Sequence, residues 1–201
     1  MKRIISFTGL VVMLYIKASA QISIMGGVNY SNVRNNHLLE NEKAVFTGHY
    51  GISFRYYPIK NWSKFSIQNE LMFNRKGYQQ HLDKTYEFRF NYVSLPVLLS
   101  YAPEKYVTIN SGIEYSRLIS TSVEDGTHTY NRNDVGLILG LTFFDKRRLS
   151  IYSRVIYGLV PMLDYYTFDK LGNFTGKIHD LKNTCLSVGI KLNIYQDESR
   201  K

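Results

Sequence analysis

Between Gln21 and Tyr195 apolar residues recur at every second position, in segment after segment of about ten residues, and no stretch carries a convincing helical period. A two-residue period places successive side chains on opposite faces of a strand, so each segment has one apolar and one polar face. Eight such segments can be counted: 21–30, 44–57, 63–78, 86–101, 106–119, 133–144, 149–160 and 183–195. Val135, Leu137, Leu139, Leu141 and Phe143 in the sixth, and Leu186, Val188, Ile190, Leu192 and Ile194 in the eighth, show the pattern without interruption. The fourth reads Tyr86, Phe88, Phe90, Tyr92 and then Leu95, Val97, Leu99, Tyr101. That change of phase predicts a bulge near Ser94–Pro96, since one extra residue reverses the facing of all that follow.

The connections alternate in length. Those after the second, fourth and sixth segments are short, whereas 31–43, 79–85, 120–132 and 161–182 are mostly longer and polar. Short turns at one end and longer loops at the other, around an even number of strands, match an outer-membrane barrel with its turns in the periplasm. The expected fold is all-β: an eight-stranded antiparallel up-and-down transmembrane β-barrel over residues 21–195, with a polar tail at 196–201. The stretches Tyr165–Phe168 and Phe174–Ile178, around 169–173, form either a hairpin extending the seventh and eighth segments or a fifth transmembrane pair.

The first twenty residues stand outside this pattern. Lys2 and Arg3 precede the mostly apolar run Ile4–Ile16, and Ala18-Ser19-Ala20 supplies small residues before Gln21. This is the form of a secretory signal cleaved between Ala20 and Gln21, the run being too short to span a bilayer. Lys2, Arg3 and Lys17 take three of the 25 bases with them, so 22 remain against 16 acids. That excess is dispersed and forms no nucleic-acid-binding block. The single Cys, Cys185, excludes a disulfide framework and a multi-cysteine metal site.

Alternation alone leaves open whether the apolar face meets lipid or, as in a lipocalin-like soluble barrel, a core. The other face is rich in small and neutral polar residues, among them Gly27, Asn29, Gly51, Ser66, Asn110, Gly112, Gly140 and Gly189. A water-exposed exterior would carry more Lys and Glu, whereas the narrow lumen of eight strands needs small side chains. Aromatic residues make up 14% of the chain and gather near strand ends, as at Tyr30, Trp62, Tyr101, Tyr106 and Phe144, where interfacial girdles belong. Both features favour lipid outside. The polar face also bears Arg55, Glu70, Glu114, Asp134, Arg154 and Lys191 on six segments, three of each sign. Charges in a confined interior must pair. The six are therefore expected to form a balanced luminal network, as structural filling or as a gate whose pairs exchange partners.

Specific stretches carry a family likeness. They are Met25-Gly26-Gly27-Val28-Asn29-Tyr30-Ser31-Asn32, then Phe65-Ser66-Ile67-Gln68-Asn69-Glu70-Leu71 with Lys76-Gly77, and Asn91-Tyr92-Val93-Ser94-Leu95-Pro96-Val97-Leu98-Leu99. With Gly112, Gly140, Gly158 and Gly189 on later strands, the chain resembles the PorT-like outer-membrane β-barrel family of Bacteroidota, the "porin family", over essentially all of 21–195. Ser94 stands where that family often has an acid before Leu-Pro, and residues 196–201 follow where an aromatic end is usual. The resemblance implies an integral protein of the cell outer membrane. The family's founding member is associated with protein secretion, a role that no motif here carries over.

Expected partners are outer-membrane lipids and the barrel-assembly machinery, with an envelope protein partner and the oligomeric state open and nucleic acid excluded. No enzyme, cofactor or metal is expected. His37, His49, His81, His128 and His179 lack metal-binding spacing and read as scattered surface histidines, and Asp125-Gly126 reads as a turn. The expected role is structural, assembly- or secretion-associated, or that of a narrow pore, with the lumen plugged by the ion network. The competing functions are a loop-borne binding module for carbohydrate or protein, using Tyr130, Tyr165, Tyr166 and Phe168, and an outer-membrane lipid-modifying enzyme or protease.

Overall fold

The computed structural model describes residues 20–35, 39, 41–58, 64–81, 83–123 and 130–196. The eleven strands described are β1 (Ala20–Arg34), β2 (Glu42–Lys43), β3 (Val45–Tyr56), β4 (Phe65–His81), β5 (Thr85–Tyr101), β6 (Val107–Thr121), β7 (Asn133–Phe143), β8 (Leu149–Gly158), β9 (Leu163–Phe168), β10 (Phe174–Asp180) and β11 (Lys182–Gln196). β1, β3, β4, β5, β6, β7, β8 and β11 each pair antiparallel with the next, and β11 returns to β1. Closure satisfies the backbone groups of all eight and leaves no sheet edge, which is what permits strands to cross hydrocarbon. β2 extends the β3 side of β4 towards the long loops.

The apolar face points outward. On β7 and β8, Leu137, Leu139, Leu141, Leu149, Ile151 and Val155 are exposed, while Asp134, Thr142, Ser150, Tyr152 and Arg154 are buried. Leu139 is 63% exposed and Arg154 5%, the inverse of a soluble barrel. So large an apolar exterior is compatible with lipid and not with water.

Glycines on the inner face make room for large luminal side chains. A Cβ at Gly189 would lie 2.5 Å from the Tyr152 hydroxyl oxygen, and one at Gly140 would lie 2.7 Å from Arg154 Cβ.

One sequence expectation needs correction, and one open alternative is decided. β5 alternates without a break: Phe90, Tyr92, Ser94 and Leu98 are all buried, while Val93, Leu95, Val97 and Leu99 are exposed. The bulge lies instead on β6. There Ser120 faces Asn91 and Leu118 faces Tyr92, so Ile119 is the extra residue. Phe90 and Tyr92 thus fill the barrel mouth, packed with Val33, Tyr78, Leu118, Met162 and Leu181 and bordered by Tyr130 and Leu163. Second, β9 and β10 pair only with each other, as a hairpin beyond the ring, so the fifth transmembrane pair is absent from a ring of eight. Leu181, at φ 60°, forms the joint between β10 and β11.

Candidate functional site

The lumen is where this chain concentrates chemistry. Arg55, Glu70, Glu114, Asp134, Arg154 and Lys191 all lie inside and buried. They are divided between two clusters, and each cluster includes residues that the alternation count left out.

The cluster nearer the short turns is organised by Asp145, in the turn between β7 and β8. Phe144 adopts φ 59°, and Asp145 beside it points into the barrel. Its carboxylate pairs with Arg55 and accepts Lys191 Nζ at 3.2 Å. Arg55 Nη2 also donates to Gln68 Oε1 at 2.5 Å, as does Lys191 Nζ at 3.2 Å. Gln68 Nε2 donates to Glu70 Oε1 at 2.5 Å, and Arg154 Nη1 pairs with Glu70 Oε2 at 2.7 Å. One connected network therefore ties β3, β4, β8, β11 and a turn across the interior.

The cluster nearer the long loops centres on Lys76. Its Nζ lies 2.8 Å from Glu114 Oε1 and 3.2 Å from Asp134 Oδ2. Ser116 donates to Glu114 at 2.8 Å and Asn183 donates to Asp134 at 2.8 Å. The Tyr92 ring stands 5.2 Å from the ammonium. Ser94 is buried and shares a hydrogen bond of 2.7 Å with Ser116.

Between the clusters His49 Nε2 meets Tyr152 Oη at 2.5 Å. His49 is buried, not on the surface as its sequence context suggested, because its position on β3 has the same inward parity as Ser53 and Arg55. His81 and His179 are exposed, the latter bonded to Asp164 at 2.5 Å. His37, His128, Trp62 and Asp125-Gly126 lie outside the described residues. So do residues 1–19, and Ala20 and Gln21 form the start of β1.

Across the two clusters Arg55, Lys76, Arg154 and Lys191 face Glu70, Glu114, Asp134 and Asp145, four charges of each sign. Two of the spaces at the short-turn cluster are about 10 Å³ each, room for about one water. Cys185 lies buried among Leu98, Ile138 and Ile156. Among the described residues no group of three or more His, Cys, Asp or Glu is placed to hold a metal ion. What this arrangement can do chemically is cross-brace the wall and obstruct the bore.

A family model described as "Outer membrane protein beta-barrel domain" matches residues 15–164. Among solved structures, Neisserial surface protein A is similar at 10% identity and a TM-score of 0.51, covering 87% of this chain and 99% of its own. OprG from Pseudomonas aeruginosa is 11% identical at a TM-score of 0.49, covering 89% and 97%. Ail of Yersinia pestis, solved with the heparin analogue sucrose octasulfate, is 15% identical at 0.45, covering 88% and 99%. No curated protein matches the chain. The first of these structures supports the same barrel fold and, at such identity, nothing finer. With the ring of eight strands, the outward apolar face and the family match in place, the chain belongs to the outer membrane protein beta-barrel domain family and is located in the outer membrane.

Proposed function

We propose that this protein is a non-conducting outer-membrane barrel with a structural or assembly- and secretion-associated role, its lumen plugged by the ion network. The observation that carries this reading is Asp145, a turn residue folded back into the bore to hold Arg55 and Lys191. A wide aqueous channel would leave its wall charges solvated, whereas these are buried against one another, with a space of only about 10 Å³ beside Glu70, Arg154 and Lys191. The apolar group at the other mouth, with Phe90, Tyr92 and Met162, adds a second obstruction. Within the family we place the chain with the PorT-like barrels on Asn91–Leu99 and Phe65–Leu71, and we infer removal of residues 1–20 on export. We assign it no enzymatic activity, and barrel-assembly machinery and lipid as its partners.

Planar-bilayer recording tests the plug. Purified barrel should give no stable open level, and a large steady conductance would overturn the reading in favour of a pore.

A second reading is binding through the β9–β10 hairpin. Tyr166 and Phe174 are exposed and pack edge to face with centroids 5.7 Å apart, with Leu171 fully presented at the tip. Such a surface suits a carbohydrate or peptide. Pull-downs with 161–182 intact and deleted should differ in their partners, and identical sets would leave the hairpin without that role.

A further inference from the structure

The turn Asp145-Lys146-Arg147-Arg148 is mixed in sequence and segregated in space. Asp145 is turned into the lumen and neutralised there by Arg55 and Lys191, while Lys146, Arg147 and Arg148 remain exposed. Lys64 and Lys105 are exposed on the two other short connections. Glu104 is the only exposed acid on these connections among the described residues. At the opposite end the signs are mingled: Arg89 pairs with Glu87 at 2.5 Å, Asp83 precedes Lys84 and Asp169 precedes Lys170.

The basic rim is also built to stay in place. Phe144 N–H donates to Tyr106 O at 2.8 Å, joining two connections, and Asn193 N–H donates to Arg148 O at 2.8 Å, joining the turn to β11. The Arg147 guanidinium lies 5.2 Å from the Phe144 ring and 5.8 Å from the Tyr106 ring, and Lys105 Nζ lies 5.8 Å from Tyr106. These rings are exposed at the edge of the outward apolar band, beside Tyr101 and Phe143. Aromatic residues at such an edge sit at the level of lipid headgroups, and the cations resting on them are held at that level rather than reaching into the aqueous phase.

We propose that this rim is a binding surface for anionic phospholipid headgroups of the leaflet at the short-turn end. Phosphates bridge Lys105, Lys146, Arg147 and Arg148 while the acyl chains lie along the outer wall. The proposal rests on the membrane-barrel reading above and adds a lipid class and a leaflet to it. A soluble acidic polymer is the competing occupant. The position of Lys105 and Arg147 on aromatic rings, at the margin of the lipid-facing band, favours the headgroup.

The probe is a single tryptophan at the position of Phe143, exposed on the outward band at this end, in a chain whose one tryptophan, Trp62, is replaced by Phe (W62F/F143W). The full chain with these two substitutions is reconstituted in phosphatidylcholine bilayers containing either brominated phosphatidylglycerol or brominated phosphatidylcholine, and quenching of the introduced tryptophan is compared at equal mole fraction. The expected result is about threefold enrichment of phosphatidylglycerol, collapsing in about 0.5 M salt. It should also be lost in the variant K105Q/K146Q/R147Q/R148Q and kept in K84Q/K170Q. Equal quenching by the two lipids overturns the proposal, as does selectivity that survives in the first variant or disappears in the second. Equal quenching combined with rim-dependent binding to peptidoglycan sacculi would reassign the surface to the polymer. Heat-modifiable gel migration of the same samples separates this outcome from failure of the barrel reading, since only the latter removes the shifted band.

Discussion

Asp145 Oδ1 accepts Lys191 Nζ at 3.2 Å inside the barrel, although one residue belongs to a turn and the other to a wall strand. The same carboxylate holds Arg55. Replacing Asp145 by Ala leaves two buried cations with reduced compensation, and such losses cost about 3–5 kcal/mol. Asp145→Ala is therefore expected to lower the urea midpoint of the barrel in vesicles by that free energy. Asp145→Asn, which keeps acceptor capacity, should lose less. Equal stability of wild type and Asp145→Ala would remove Asp145 from the fold's support.

Lys76 serves two carboxylates at once, Glu114 and Asp134. Lys76→Met should destabilise by about 3–5 kcal/mol, because the two acids then face one another without a counter-charge. Adding Glu114→Gln and Asp134→Asn to the same chain should recover most of that loss. The coupling is measured by a mutant cycle in denaturant. Additive effects across the three sites would contradict a shared cluster.

Adjacent glycines on β1 should behave differently. A Cβ at Gly27 would overlap the Val188 carbonyl oxygen on β11, a backbone atom that cannot swing aside, whereas at Gly26 the nearest contact would be 3.4 Å from His49 O. Gly27→Ala should cost about 1–3 kcal/mol or more and reduce the heat-shifted folded band, while Gly26→Ala should retain a near-normal folded yield. Refolding both variants side by side in detergent makes the comparison.

The β9–β10 turn carries a pH dependence of known sign. The Asn173 side-chain amide, and the backbone N–H groups of Asn173 and Leu171, donate to Asp169 and hold its carboxyl below the usual carboxylate range. A folded-state pKa below the unfolded one gives stability that is present above the unfolded value and lost as pH falls through the folded one. The hairpin should therefore keep its amide protection from neutral pH down to the ordinary carboxylate range and lose it on further acidification. In Asp169→Ala protection should be lower at neutral pH and flat with acid, as read by hydrogen exchange over 163–180.

These tests fall on residues of unequal visibility in the sequence. The eight-strand ring was legible because lipid imposes a strict two-residue period, which also carried Arg55, Glu70, Glu114, Asp134, Arg154 and Lys191 to one face. Lys76 obeys the same parity two positions beyond Asn74 and could have been found by extending the count. Asp145 could not, since its direction depends on a left-handed φ at Phe144 within the turn. Phe90 and Tyr92 misled for a physical reason: towards the long-loop mouth the lumen itself is apolar, so hydrophobicity no longer tells outside from inside.

That apolar mouth makes Cys185 a probe of the plug. Its thiol is 1% exposed beside Leu98, Ile138 and Ile156, and the group containing Val33, Tyr92, Met162 and Leu181 stands between it and the long-loop end. A charged, membrane-impermeant maleimide added from that side should leave Cys185 unmodified in the folded barrel and label it once the barrel is unfolded. Met162→Ala with Leu181→Ala removes part of the stopper and should raise the labelling rate, at a cost of about 2–5 kcal/mol for each truncated side chain where the site does not collapse. Asp145→Ala, acting at the opposite end, should change labelling from this side much less. Rapid modification of the wild-type barrel would mean that solvent already reaches the middle of the lumen, and the non-conducting reading would fail with it.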